Sequence, residues 1–282
     1  MTSSCERIDP LPRLHVVTVA WNEEAFLPHF LRHYSNMGAA ISVFDNESTD
    51  ATVEIAAAWP GTTVTSFNTG GTLRDDVNSY IKSTAWRAPD APAAEWVICV
   101  DVDELIYHPN LREYLRVCDE SGYDVVVPAG VDMTPPAKAP DATSAEGQPP
   151  SPLSHRGALN ALYSKPVIFS ARRIESVNFG PGAHIAQFVP APRITGHRLG
   201  TPRLRPPFPA TMFLEGLPPG EGDPLLLHHR FHEPNIVDRW REREARRSDV
   251  NRRLGMGAHY GVGTAVLQDY LQWLDEYATV NV

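Results

Sequence analysis

The chain has little cysteine, no lysine-rich run and no long apolar stretch. Its three cysteines, Cys5, Cys99 and Cys118, are odd in number and far apart. That excludes a disulfide framework and a Cys-x-x-Cys metal site, and it fits a reducing compartment. No apolar run approaches the roughly 20 residues needed to span a bilayer. The opening MTSSCERIDPLPR lacks the apolar core of a secretory signal. The expectation is therefore a soluble, cytoplasmic protein without an integral membrane segment. With 34 acidic against 25 basic residues the net charge is -9, which disfavours a nucleic-acid backbone or an anionic lipid surface as partner. What remains is ordinary globular material, 42% apolar and 21% charged over 282 residues, enough to bury a core in one large domain or two small ones.

Along the first half, short β-branched runs alternate with helical periodicity. LHVVTVA (14–20), AAISVF and TTVTSF read as strands. Between them, Phe26, Leu27, Phe30, Leu31, Tyr34 and Met37 recur at helical spacing, with Pro28 in the first turn and Gly38 at the C-cap. Asp50 suits the N-cap of ATVEIAAAW. In DDVNSYIKSTAW, Val77, Tyr80, Ile81 and Thr84 mark one face; a helix over 110–120 and a strand YDVVVPAGV follow. Strand–helix alternation argues for an α/β fold with a mostly parallel sheet, whose ligands bind beyond the carboxyl ends of the strands. The loop over 20–24, Asp45 and Asp101–Glu104 all fall on that rim. The second half is less regular, with Pro-rich stretches over 132–156 and 190–224 that read as surface loops or as a lid over an acceptor. It ends in helices in which Leu267, Leu271 and Leu274 pack inward or against a partner, so oligomeric state is left open.

EWVICVDVDELIYHP (95–109) poses the chemical question, because Asp101, Asp103 and Glu104 follow directly on the apolar strand Trp96–Val100. Carboxylates at the edge of a core need a cation or a hydrogen-bonding partner. Alternation along an extended chain points Asp101 and Asp103 the same way. Such a pair suits a hard divalent ion, Mn²⁺ or Mg²⁺, that also holds substrate phosphates. The bland alternative is an exposed acidic loop capping the next helix.

Three motifs together resemble family 2-type glycosyltransferases: VAWNEEAF, the segment FDNESTDAT, and WVICVDVDELI with its Asp-x-Asp. RDDVNSYI resembles the helix before that Asp-x-Asp, and LLLHHRFHEPNIVDRWREREARR resembles a C-terminal histidine motif before a basic helix. The resemblance implies a GT-A (Rossmann-like) fold with C-terminal helices, residues 1–131 forming the nucleotide-sugar-binding half and 132–282 the acceptor-binding, helical half of one domain. It implies transfer of a sugar from a nucleotide diphosphate donor, UDP-sugar foremost, to a hydroxyl acceptor, with inversion. Carried over, Thr18, Asn22 and Glu23 line the nucleoside pocket, Asp45 contacts base or ribose, and Arg74 and Asn78 sit near the donor. Asp101 faces the ribose or a metal-bound water, and Asp103 and His228 complete the metal site.

Several residues keep two readings. His228, His229 and His232 could form a cluster of their own, although Pro234 works against a helix across them. Arg239, Arg241, Arg243, Arg246 and Arg247 are either a solvated face with a Glu242–Arg246 pair or cations reaching a diphosphate. The catalytic base has no obvious carboxylate; His184 is the first candidate, with Glu175 and Asp132 behind it. His29 and His33 read as surface residues of the first helix. A nucleotidyltransferase would show an early Gly-rich phosphate loop, which AWNEEAF lacks. A non-catalytic nucleotide- or sugar-binding module of the same fold is the remaining alternative.

Overall fold

β1 (Leu14–Ala20) is buried along nearly its whole length, as a strand covered on both faces must be. A computed structural model describes residues 10–135, 153–197, 203–204, 208–209, 212–215, 217–232 and 236–282. After β1 comes α1 (Leu27–Asn36), which buries Leu27, Phe30, Leu31 and Tyr34, and Gly38 at φ 73° turns the chain out of it. β2 (Ala39–Asp45), α2 (Thr52–Ala58), β3 (Thr62–Ser66), α3 (Asp75–Thr84) and β4 (Trp96–Cys99) continue the alternation. β1 lies parallel to β2 and β4, and β2 to β3.

The regular alternation stops after β4. β5 (Glu104–Tyr107) and α4 (Leu111–Glu120) lead to a run that was expected to be one strand. Pro128, which has no N–H for a ladder, divides it into β6 (Val125–Val127) and β7 (Ala129–Met133). These two strands join different sheets. The remaining strands are β8 (Arg156–Leu159), β9 (Ile168–Ser170), β10 (Ser176–Phe179), β11 (Ala186–Val189), β12 (Ile194–Gly196), β13 (Arg203–Leu204), β14 (Leu214–Glu215), β15 (Leu225–His228) and β16 (Val280–Asn281). The C-terminal helices are α5 (Ile236–Arg246), α6 (Asp249–Arg253) and α7 (Thr264–Tyr277).

Seven strands form the main sheet in the order β12-β6-β9-β4-β1-β2-β3, with β9 antiparallel to both neighbours. A second sheet runs β16-β8-β7-β15-β5. Its register sets the site: β15 pairs His228 opposite Glu104 on β5 and opposite Asp132 on β7. A smaller core of Phe213, Trp240, Leu267, Tyr270 and Leu274 seats α7 against the second sheet, so Leu267 and Leu274 face inward.

Four expectations need correction. The loop expected from residue 132 starts later, because Asp132 and Met133 are buried in β7; residues 136–152 of it lie outside the described residues. The stretch 190–224 contains β12 and the β13–β14 hairpin, and parts of it also lie outside the described residues. His33 is half-buried rather than free on the surface, its Nε2 bonding the Ile106 carbonyl at 2.8 Å. On α3 the buried face is Lys82 and Ser83, while Tyr80 is 67% exposed. Among the described residues no helix is long and apolar enough to cross a membrane.

Candidate active site

At the carboxyl ends of β1 and β4 the chain encloses a cleft of about 230 Å³. α3, the turn between β10 and β11, the end of β15 and α5 supply its other walls. This is where a parallel sheet leaves backbone and loops free to meet a ligand.

The acids behind β4 are answered by buried cations. Lys82 Nζ donates to Asp101 Oδ1 at 2.5 Å, and Lys165 Nζ lies 3.7 Å from Asp101 Oδ2. Lys165 also pairs with Glu104, both side chains being almost fully buried. Glu104, expected on the rim, is instead the first residue of β5 and fully buried. Asp101 is crowded by protein, yet 42% of its side chain is open to the cleft. Burial alone raises its pKa, but the two lysines outweigh that and hold it at about 2. Neither lysine stood out in the sequence. Lys82 lies in a helix whose apolar spacing points elsewhere, and Lys165 lies in an irregular loop.

Asp103 faces His228, whose Nε2 is 3.5 Å from Oδ2. Burial favours protonation of Asp103, but the His228 and Arg243 charges overcome it and keep the carboxyl well below its usual range. Burial lowers the His228 pKa, and Asp103 with Asp132 reverses this and lifts it to about 9. The Tyr163 ring covers the imidazole, the two centroids 3.8 Å apart. His228 ends a strand, so the i,i+4 helical pairing with His232 does not form. His229 and His232 pack against Phe26.

The opposite wall is cationic. Arg239 donates to the Trp21 carbonyl at 2.8 Å, and Arg239 and Arg243 share the Glu23 carboxylate. Arg246 stacks on the Trp21 ring at 3.8 Å and donates to the Gly71 carbonyl at 3.0 Å, so it does not lie on a solvated face with Glu242. Its buried Nη1 makes no hydrogen bond. The Arg246 pKa is lowered, first by burial, with Arg243 and Arg239 adding to the effect. Two guanidinium groups thus meet at the Glu23 carboxylate, and a third, Arg246, stands on the neighbouring Trp21 ring. Arg241 and Arg247 pair with Asp238 and Glu244 on the same helix and do not line the cleft.

His184 reaches the cleft from the tip of the β10–β11 turn. Two left-handed residues, Gly182 (φ 61°) and Ala183 (φ 55°), make that tip. A Cβ on Gly182 would lie 2.9 Å from the His184 ring, so glycine is needed for the close approach as well as for the backbone. Nδ1–H donates to the Leu162 carbonyl at 2.7 Å, which leaves Nε2 with its lone pair. The ring is open to solvent on one side and crowded on the others; burial, reinforced by Lys165, lowers its pKa to about 3. Of the other base candidates, Asp132 is fully buried and Glu175 is exposed away from the cleft. Asp75, not singled out from the sequence, lines the cleft, and burial with the nearby Asp101 charge raises its pKa to about 6.

Among the residues assigned to the donor, Glu23 and Asn78 line the cleft. Thr18, Asn22, Asp45 and Arg74 do not. Thr18 is buried within β1. The Asn22 side chain bonds the Thr49 N–H at 2.7 Å, Asp45 accepts from the Ser48 N–H at 3.3 Å, and Arg74 pairs with Asp76. Asn46, one residue past Asp45, takes its place in the lining.

Among the described residues no three His, Cys, Asp or Glu side chains converge to hold a metal ion. A complete protein cage is not what Mg²⁺ or Mn²⁺ needs, because these ions are commonly held by one or two side chains, substrate phosphates and water. Asp103 and His228, adjacent at the cleft, fit as that half-site. Asp101 fits less well, since both its oxygens already face lysines.

Residues 15–135 match a family model described as Glycosyl transferase family 2. No curated protein sequence matches the chain. Among solved structures, S. aureus TarS 1-349 is 17% identical over 56% of this chain and 47% of that one, with a TM-score of 0.35. The same protein in complex with UDP-GlcNAc is 16% identical over 56% and 45%, at 0.33. In complex with UDP it is 17% identical over 56% and 46%, at 0.36. The chain spans less than half the length of these structures. Over residues 15–135, from β1 through β7, the chain is thus similar to glycosyl transferase family 2, and its large, mostly parallel sheet flanked by helices is the α/β architecture that the sequence led one to expect.

Proposed function

We propose that the protein transfers a sugar from a nucleotide diphosphate donor, UDP-sugar foremost, to a hydroxyl acceptor with inversion, and that Mn²⁺ or Mg²⁺ assists. The observation that carries this reading is the pairing of Asp103 with His228 across a cleft whose other wall is an arginine row. A leaving nucleoside diphosphate gathers negative charge, and fixed cations in a crowded cleft stabilise it without reorganising. Arg243 and Arg246, held against Glu23 and Trp21, supply such charges. The divalent ion, held by Asp103 and His228 when bound, supplies further charge neutralisation. Lys82 keeps Asp101 ionised and fixed toward the donor. His184 Nε2, left free by the Leu162 contact, accepts the proton of the acceptor hydroxyl. Its low pKa makes it a weak base, suited to a proton that leaves late as the acceptor oxygen bonds to the sugar.

The test is release of nucleoside diphosphate from UDP-, GDP- and CDP-sugars with Mn²⁺, with Mg²⁺ and with EDTA. Release from one nucleotide class, lost with EDTA and in Asp103→Asn, is the expected result. Equal release in EDTA removes the metal from the reading, and no release from any donor removes the transferase. His184→Ala separates the base: transfer at the wild-type rate would exclude it.

A further inference from the structure

Behind the cleft, Asp132 on β7 is fully buried and too deep to meet a substrate. It nonetheless meets four hydrogen-bonding side chains. One oxygen faces His228 Nδ1 at 3.2 Å. The other accepts from Tyr270 on α7 at 2.6 Å, from Asn160 at 3.4 Å, and from Arg230. Arg230 in turn donates to the Tyr163 hydroxyl at 2.9 Å, and the Tyr163 ring lies over His228. A buried carboxylate is costly unless so satisfied; α7 contributes Tyr270 to it directly, and the Met212 carbonyl accepts from two of its partners, Asn160 and Arg230.

We propose that Asp132 is a positioning residue that selects the tautomer of the neutral His228 ring: it retains the proton on Nδ1, so that Nε2, facing Asp103 and the cleft, is the nitrogen that gives up its proton when a metal binds. The inference rests on the reading of Asp103 and His228 as a metal half-site. An imidazole ligates a metal through an unprotonated nitrogen, and the hydrogen bond at its other nitrogen decides which one that is. The oxygen assignment follows from the neighbours. Arg230 and Tyr270 can only donate here, so they fix an acceptor on their side of residue 132. An Asp leaves a second acceptor for His228; an Asn does not. In Asp132→Asn the amide oxygen turns to Arg230 and Tyr270, and the amide NH₂ faces Nδ1. The ring then accepts at Nδ1, carries its proton on Nε2, and cannot ligate.

Two readouts test this on the full chain. With saturating UDP, free Mn²⁺ measured by electron paramagnetic resonance gives metal affinity, and ¹⁵N NMR of ring-labelled protein with Mg²⁺ and UDP gives the His228 tautomer. The expected result is Nδ1–H in the wild type, Nε2–H in Asp132→Asn, and Mn²⁺ affinity about 10–100-fold weaker in the variant. Tyr270→Phe, which removes one donor and keeps the carboxylate, is expected to retain the Nδ1–H tautomer and most of the affinity. If Asp132→Asn does not fold, the wild-type spectrum decides: a ring protonated on Nε2 in the Mg²⁺ complex overturns the proposal. If His228→Ala weakens Mn²⁺ and Asp132→Asn does not, Asp132 has no positioning role although the half-site stands. If His228→Ala leaves Mn²⁺ binding unchanged, the metal reading itself fails, and this proposal with it.

Discussion

Lys165 is the residue whose removal most sharply tests the charge arrangement under the site. Its side chain is 2% exposed and that of Glu104 is 1% exposed. Lys165→Met leaves the Glu104 carboxyl in the core without its buried cation. Breaking a buried pair from one side costs about 3–5 kcal/mol. At roughly 2–4 °C per kcal/mol the midpoint of thermal unfolding is expected to fall by roughly 6–20 °C. Exchanging both partners removes the orphaned carboxyl. Glu104→Gln/Lys165→Met keeps an acceptor for the Asp101 N–H now bonded to Glu104 at 3.1 Å. The double variant is therefore expected to recover most of the loss, giving a coupling energy of about 2–3 kcal/mol from urea melts of the four proteins. Single variants that each cost under about 1 kcal/mol, or a double variant as unstable as their sum, would refute the buried-pair reasoning. Because Lys165 also lies 3.7 Å from Asp101, the single variant is further expected to raise the Asp101 pKa.

Two further outcomes follow from groups around the same strands. His15 is buried in β1, and desolvation holds its pKa at about 4, below the ordinary 6.5. The unfolded chain therefore binds the extra proton between these values, so stability is fully present above about pH 6.5 and falls toward pH 4 at up to about 1.4 kcal/mol per pH unit. Other histidines with lowered pKa, His184 among them, add to the wild-type slope, so urea melts should show it reduced by up to that amount in His15→Gln; an unchanged slope would put the titrating group elsewhere. Gly182→Ala pushes a Cβ against the His184 ring and strains a left-handed residue, so transfer is expected to drop at least tenfold for a stability loss of about 1 kcal/mol. A wild-type rate in that variant would mean that the ring pose does not matter.

Much of the frame was legible because its signals are local. β-Branched runs, a proline in the first turn of α1 and a glycine at φ 73° fixed β1 to β4 and their helices without long-range information. The Asp-x-Asp behind β4 announced the site for the same reason. The partners of those acids were not legible. Lys82 sits on a polar helix face buried against the cleft, where apolar periodicity gives the wrong side. Lys165 and Asp132 act only through register and packing between chain segments more than 25 residues apart. Pro128 was visible, but its effect depends on there being two sheets to share, which no single strand pattern encodes. The cleft lining differs from the residues assigned to the donor for a similar reason. Asp45 and Arg74 are spent on local bonds to Ser48 and Asp76, and the adjacent Asn46 and Asp75 reach the cleft.

The central claim is that a nucleoside diphosphate and a divalent ion meet at Asp103 and His228. Titration calorimetry of UDP into the protein, with Mn²⁺ and then with EDTA, tests it most directly when repeated on Asp103→Asn. Binding in Mn²⁺ that weakens at least tenfold with EDTA, and by a like factor in the variant, is the expected result. UDP affinity indifferent to both changes would contradict it.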